Sequence, residues 1–107
     1  MRKAQIYIHG NHAGEFQEVE KGRQYRFKYT EDYSGPPISL SMPIQIKVFE
    51  YQNFPPFFDG LLPEGGQLEG LLRINKIDRT DYFSQLLAVG EDLVGAVTVE
   101  KDKVTTK

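Results

Sequence analysis

The sequence predicts an α+β domain, a mostly antiparallel β-sheet with three short helices packed on one face. Three observations lead there. Apolar residues alternate with period two through the first half of the chain, from Ala4 to Val48. Spacings of three and four take over between Phe54 and Val89, the mark of helices with one buried stripe. Strand character then returns at Val94, Val97 and Val99. With 107 residues, 39% hydrophobic and 26% charged, the chain has the size and composition of one globular domain. That domain is assigned to residues 1–100, with a polar, frayed tail at 101–107.

Ala4, Ile6 and Ile8 alternate with Gln5, Tyr7 and His9, which predicts a half-buried first strand. Residues 10–14, GNHAG, read as a turn longer than two residues, and Glu15–Val19 as the return strand of a hairpin. A second turn at Lys21-Gly22 leads to Tyr25, Phe27 and Tyr29, the clearest strand signal. The stretch from Glu31 to Pro37 is polar, contains Gly35-Pro36-Pro37 and reads as a loop. Ile38, Leu40 and Met42 alternate with serines and predict a strand. Pro43 cannot donate to a ladder, so a separate extended piece is expected through Ile44, Ile46 and Val48.

Phe54, Phe57, Phe58, Leu61 and Leu62 outline the first helix, with Pro55 and Pro56 in its opening turn and Gly60 and Pro63 ending it. Leu68, Leu71 and Leu72 outline the second. Between them, Pro63-Glu64-Gly65-Gly66-Gln67 reads as a rigid proline followed by a mobile glycine pair, a presented corner. Thr80 or Asp78 is expected to cap a third helix whose buried stripe is Tyr82, Phe83, Leu86, Leu87 and Val89, with Gly90 in the C′ position. Asp92–Glu100, with Val94, Val97 and Val99, reads as the final strand.

Composition excludes several classes of function. A net charge of −2 gives no basic footprint for nucleic acid. No apolar run is long enough for a membrane span, and the N-terminal segment does not have the pattern of a signal peptide, so the cytoplasm is the expected location. The absence of cysteine removes disulfides, thiolate metal sites and a cysteine nucleophile. His9 and His12, the two histidines, have no nearby carboxylate to complete a metal site and read as surface residues at a hairpin tip. Asp59 and Glu64 flank the corner and could do acid–base work in a cleft, although such residues more often face solvent at helix ends. No phosphate-binding loop and no nucleophile elbow is present, so neither cofactor nor metal is expected and binding outranks catalysis.

Three linked motifs carry a resemblance. Residues 57–65, FFDGLLPEG, resemble the FFDNLLPEG segment of the N-terminal subdomain of HipA-type serine/threonine kinases. Residues 38–43, ISLSMP, resemble that family's PLSLSLP. Asp81-Tyr82-Phe83 through Gly90, then Gly95-Ala96-Val97, resemble its D-x-F-x-LLA-x-G-x-D-x-x-GAV. The resemblance runs from about Tyr7 to Val99 and implies the fold of that subdomain.

In the family a kinase core follows, carrying the nucleotide loop, catalytic aspartate and metal ligands that phosphoryl transfer requires. Those elements are absent from this sequence, so the resemblance implies that the chain is not an enzyme by itself. A free-standing copy is similar to the HipS proteins of three-gene HipBST toxin–antitoxin systems. The start at Met1 and the polar tail weigh on the side of such a copy rather than an excised domain. The implied function is that of an antitoxin that neutralises a separate HipT-like kinase toxin by supplying its missing subdomain, with a HipB-like DNA-binding protein reached only through the kinase. Two alternatives are a regulatory or activating subunit of a split kinase, and a small-ligand-binding module on the same fold. The expected partner-binding residues are Asp59, Pro63, Glu64, Gly65, Gly66, Gln67 and Leu68 at the corner, joined by an adjoining turn at Glu91 and Asp92.

Overall fold

The computed structural model describes residues 1–93 and 95–102. Strands β1 (Arg2–Ile8), β2 (Asn11–Glu20), β3 (Gln24–Tyr29), β4 (Val48–Tyr51) and β5 (Val97–Lys101) form one antiparallel sheet in the order β4-β3-β2-β1-β5. Helices α1 (Pro56–Asp59), α2 (Gly65–Asn75) and α3 (Tyr82–Val89) come between β4 and β5. This is the α+β architecture that the hydrophobic periods predict.

Register explains the core. Ala4, Phe16, Phe27 and Phe49 lie opposite one another across four strands, and Ile6 lies opposite Val99 on the remaining one. These residues face the helices, and all but Phe49 are fully buried. Phe58 of α1 and Phe83 and Leu86 of α3 close the core from the other side, each wholly buried. Phe16 stacks on Phe58 with centroids 4.1 Å apart and on Phe83 at 5.4 Å. The alternate residues of the strands form a polar outer face on which Gln5 donates to Glu15 (3.1 Å), Gln17 donates to Glu15 (2.6 Å) and Arg26 pairs with Glu50 (2.9 Å).

Several expectations are corrected. The first hairpin turn contains only His9 and Gly10, both with positive φ (50° and 82°), the left-handed pair that suits a two-residue hairpin. The residue that seemed to lengthen the loop is instead absorbed as a bulge: Ile6 faces Gly14 and Tyr7 faces His12, leaving Ala13 extra. The strand expected at Ile38–Met42 is a turn, and of the extended piece expected through Ile44, Ile46 and Val48 only Val48 is in a strand, as the first residue of β4. The Tyr29 hydroxyl takes over the role of a neighbouring strand there, accepting from the Ile38 amide (3.0 Å) and donating to the Met42 carbonyl (2.5 Å).

The cap of α3 is neither Thr80 nor Asp78 but Asp81, whose carboxylate accepts from the Ser84 amide at 3.2 Å. Tyr82 is 38% exposed rather than part of the buried stripe, and Gln85 takes an inward position. Gly90 follows α3 in a right-handed conformation, not the left-handed C′ one, and begins a 3₁₀ turn at Gly90–Asp92. What demands glycine is proximity, since a Cβ there would lie 2.1 Å from the Val99 carbonyl oxygen. The last strand starts at Val97 rather than near Asp92, and it includes Lys101, which pairs with Ala4, so the tail does not begin there. Val94 and residues 103–107, on which the expectations of strand and frayed tail also fell, lie outside the described residues.

A charged cluster fastens the sheet to α3. The Arg2 guanidinium donates to Glu18 (2.7 Å), Asp81 (2.8 Å) and the Ser84 hydroxyl (2.7 Å) and lies 5.0 Å from the Phe83 ring centroid. Burial alone would raise the Asp81 carboxyl, but hydrogen bonds from Arg2 and Ser84 and the Arg2 charge outweigh it and hold Asp81 below the usual carboxylate range.

Two outcomes follow. Phe58→Ala is expected to destabilise the fold by roughly 3–5 kcal/mol and Leu86→Ala by roughly 2–5 kcal/mol in urea denaturation, because each deletes a fully buried side chain. The depressed Asp81 contributes stability that is complete above the unfolded carboxylate range and is lost as pH falls through its folded value. Asp81→Asn should therefore be less stable than the parent at pH 7, with the difference shrinking when melting is followed into acid.

Candidate partner-binding site

The corner between α1 and α2 is built by opposing demands on its residues. Pro55, buried and with φ −62°, precedes the single turn of α1, and Phe58 ties that turn to the sheet. The chain continues as tight turns, Leu61 N to Phe58 O (3.1 Å) and Leu62 N to Asp59 O (3.1 Å), before Pro63 and Glu64. The first helix is thus shorter than its apolar spacing predicts, because Gly60 and Pro63 interrupt it.

Gly65, Gly66, Gln67 and Leu68 are not a loop. They form the opening of α2, and only Pro63 and Glu64 remain as an extended link before it. Gly65 has φ +60°, which lets the chain turn sharply from extended Glu64 into the helix. Gly66 has open space where a Cβ would be, and it and Gln67 are exposed. Of α2 only Leu72 is buried, with Leu68 and Leu71 half-buried, so the helix is held along a narrow stripe.

Asp59, Pro63, Glu64 and Leu68 come together around a shallow groove of about 260 Å³, completed by Leu62, Arg79, Tyr82 and Gln85. Gln85 is 2% exposed and forms the floor, donating to the carbonyls of Asp78 (3.3 Å) and Arg79 (2.9 Å). Those bonds fix the link that carries Arg79. The Arg79 guanidinium spans to the Glu69 carboxylate at 2.7 and 2.8 Å, both groups exposed. Tyr82 lies 5.5 Å from Phe54, which meets Phe16 edge-on at 5.8 Å, so the groove wall is continuous with the aromatic core. With Asp59, Glu64 and Glu69 around one arginine, the rim is acidic and suits a cationic group on a partner.

The turn at Glu91 and Asp92 does not adjoin this corner. Asp92 lines a separate groove of about 470 Å³ with Ser84, Leu87, Ala88 and Val99, on another side of α3. Arg79, Tyr82 and Gln85 are missing from the site as read in sequence. Tyrosine and arginine are the side chains most often found as interface anchors. One signal was available, since Tyr82 stands beside, not on, the stripe of Phe83, Leu86 and Gly90. Among the described residues no group of three or more His, Asp and Glu side chains could hold a metal, and no helix is long and apolar enough to cross a membrane.

A family model, HipA N-terminal domain, matches residues 4–100. The chain belongs to the HipA N-terminal domain family. A solved structure titled N-terminal domain of HipA toxin superposes with a TM-score of 0.77 at 30% identity, covering 98% of this chain and 96% of that one. An uncharacterised protein of Haemophilus influenzae is 34% identical over 103 residues, 96% of this chain and 95% of its own length. A Sinorhizobium fredii protein named "Putative kinase Y4dM" is 30% identical over 103 residues, 88% of this chain but 25% of its own length. The HipA-type domain therefore occurs both as nearly the whole of one relative and as a quarter of another.

The two glycines of the corner have different requirements. Gly65→Ala should lower stability by about 1–2 kcal/mol, the cost of a Cβ in left-handed backbone. Gly66→Ala should leave stability unchanged or raise it by up to about 1 kcal/mol, since the site is open and helical. Urea midpoints of the two variants, measured side by side, check this.

Proposed function

We propose that this HipA-type domain is an antitoxin that docks on a separate HipA-like serine/threonine kinase chain and neutralises it by supplying the N-terminal domain in trans. The observation that carries the reading is the dual occurrence of the domain. It makes up almost all of one relative and a quarter of a relative whose name describes a kinase. A domain that packs on a body within one chain keeps a surface suited to pack on the same kind of body between chains.

The α1–α2 corner is the inhibitory contact in this reading. Its acidic rim faces a basic element of the kinase, and Gly65 and Gly66 allow close backbone approach. The chain itself carries out no catalysis. It works in the cytoplasm beside its kinase, and any HipB-like DNA-binding protein is reached through that kinase. The alternative, a subunit that activates a split kinase, rests on the same observation and differs in the sign of the effect.

The test is co-expression with a HipA-like kinase encoded beside this chain. The expected outcome is co-purification of the two, loss of kinase activity in the complex and restored growth of cells that the kinase alone arrests. A Gly66→Glu/Gln67→Trp variant should melt like the parent and fail to restore growth. Higher kinase activity in the complex would establish the activating subunit, and absence of a complex would refute both readings.

A further inference from the structure

The segment Ile38–Pro43 carries one of the three family-like motifs, yet no groove described so far uses it. Its alternation is real but is not that of a strand. Ile38 (7% exposed) and Met42 (1%) turn inward, and Leu40 between them is 97% exposed. Leu40 sits on a tight turn in which the Met42 amide donates to the Ser39 carbonyl at 3.0 Å. The Ser41 amide donates to the Ser39 hydroxyl at 3.3 Å, and the Ser39 and Ser41 hydroxyls lie 3.0 Å apart.

This turn is braced from beneath. The buried Tyr29 hydroxyl holds both of its shoulders, the Ile38 amide and the Met42 carbonyl. Tyr29 is itself held by its place in β3 and by Tyr33, whose ring is parallel within 3° at 5.9 Å. A lone exposed leucine is unremarkable on a protein surface. A leucine held out by a turn that a core tyrosine fixes on both sides differs, because little ordering is left to do when it binds. Ile46 (51% exposed) and Val48 (42%) belong to the same connection and its outer strand and also face solvent.

We propose that Leu40 is a preorganised anchor that inserts into an apolar pocket on the HipA-like kinase chain. This rests on the reading under Proposed function and adds to it a second contact, distinct from the α1–α2 corner. The kinase is the occupant for two reasons. In the Sinorhizobium fredii relative the matching region is a quarter of the protein, so this kind of domain surface has a larger body beside it in the same chain. A second copy is the weaker fit, because both grooves around α3 mix their apolar residues with charged ones, Asp59, Glu64 and Arg79 on one side and Asp92, Glu100 and Lys101 on the other.

The experiment measures binding of the neighbouring kinase by titration calorimetry for the parent, Leu40→Met, Leu40→Ala and Leu40→Asp. All four should melt alike, since Leu40 makes no buried contact. Leu40→Met should bind within about threefold of the parent. Removing the anchor should weaken binding by about 10- to 100-fold, the value of burying one such side chain, and Leu40→Asp should weaken it further. A parent-like affinity for Leu40→Asp overturns this proposal and leaves the kinase-binding reading standing. No binding by the parent overturns both.

A second measurement covers any variant that folds poorly. The chain has no tryptophan, so Leu40→Trp labelled with 5-fluorotryptophan gives a single fluorine resonance. That resonance should shift when kinase saturates the protein. An unmoved resonance in the saturated complex, or Leu40-dependent dimers of the free protein in sedimentation, would overturn the assignment.

Discussion

Phe16, near the middle of β2, is the point on which the packing of this domain depends. Its ring meets Phe58 from α1, Phe83 from α3, Phe54 from the segment before α1 and Tyr25 from β3, at centroid distances from 4.1 to 5.9 Å. The sheet and both of its covering helices thus share one side chain. Such contacts are individually weak, but aromatic rings bury large areas and prefer offset or edge-on geometries, so a cluster of five defines the relative placement of its elements. Ala4 opposite Phe16 on β1 leaves room for the helices to descend onto that ring.

The surfaces follow from that anchoring. α1 is only one turn long, yet Phe58 holds it, and the corner that follows is consequently presented in one place. α2 hangs from that corner by a narrow leucine stripe, and Gln85 supports the return link from below. The Arg2 cluster adds directionality that hydrophobic contact lacks, joining the start of β1 to the start of α3 through charged hydrogen bonds. On the opposite face of the sheet the polar side chains bond across the strands. Gln5–Glu15, Arg26–Gln17 and Arg26–Glu50 link β1 to β4 on that face, which the exposed Val48 shares.

Membership of the HipA N-terminal domain family gives these surfaces their context. A domain that is nearly the whole of one relative needs a core sufficient to fold by itself, and the aromatic core and the Arg2 cluster meet that need. The acidic α1–α2 groove and the solvent-facing Leu40, on a turn locked by Tyr29, are features that folding alone does not require.

Some of this was determined by the sequence alone, because it depends on residues close together in the chain. The period of two in Tyr25–Tyr29 and the spacing of three and four in Phe83–Leu87 set strand and helix, and the order of those elements gave the α+β class. The motif at residues 57–65 identified the corner and one wall of the groove around it, Asp59, Leu62, Pro63 and Glu64. Tertiary structure decided whatever depends on partners far along the chain. The alternation at Ile38–Met42 became a turn because the hydroxyl of Tyr29 supplied the hydrogen bonds that a neighbouring strand would have supplied. Arg79, Tyr82 and Gln85 joined Asp59 and Glu64 because α3 crosses behind the corner, while Asp92 fell on the other side of that helix. Gly90 reads as a helix terminator, but what excludes a side chain there is the carbonyl of Val99, from which a Cβ would lie only 2.1 Å away. Local periodicity records which face of an element is apolar, and only packing determines what that face meets.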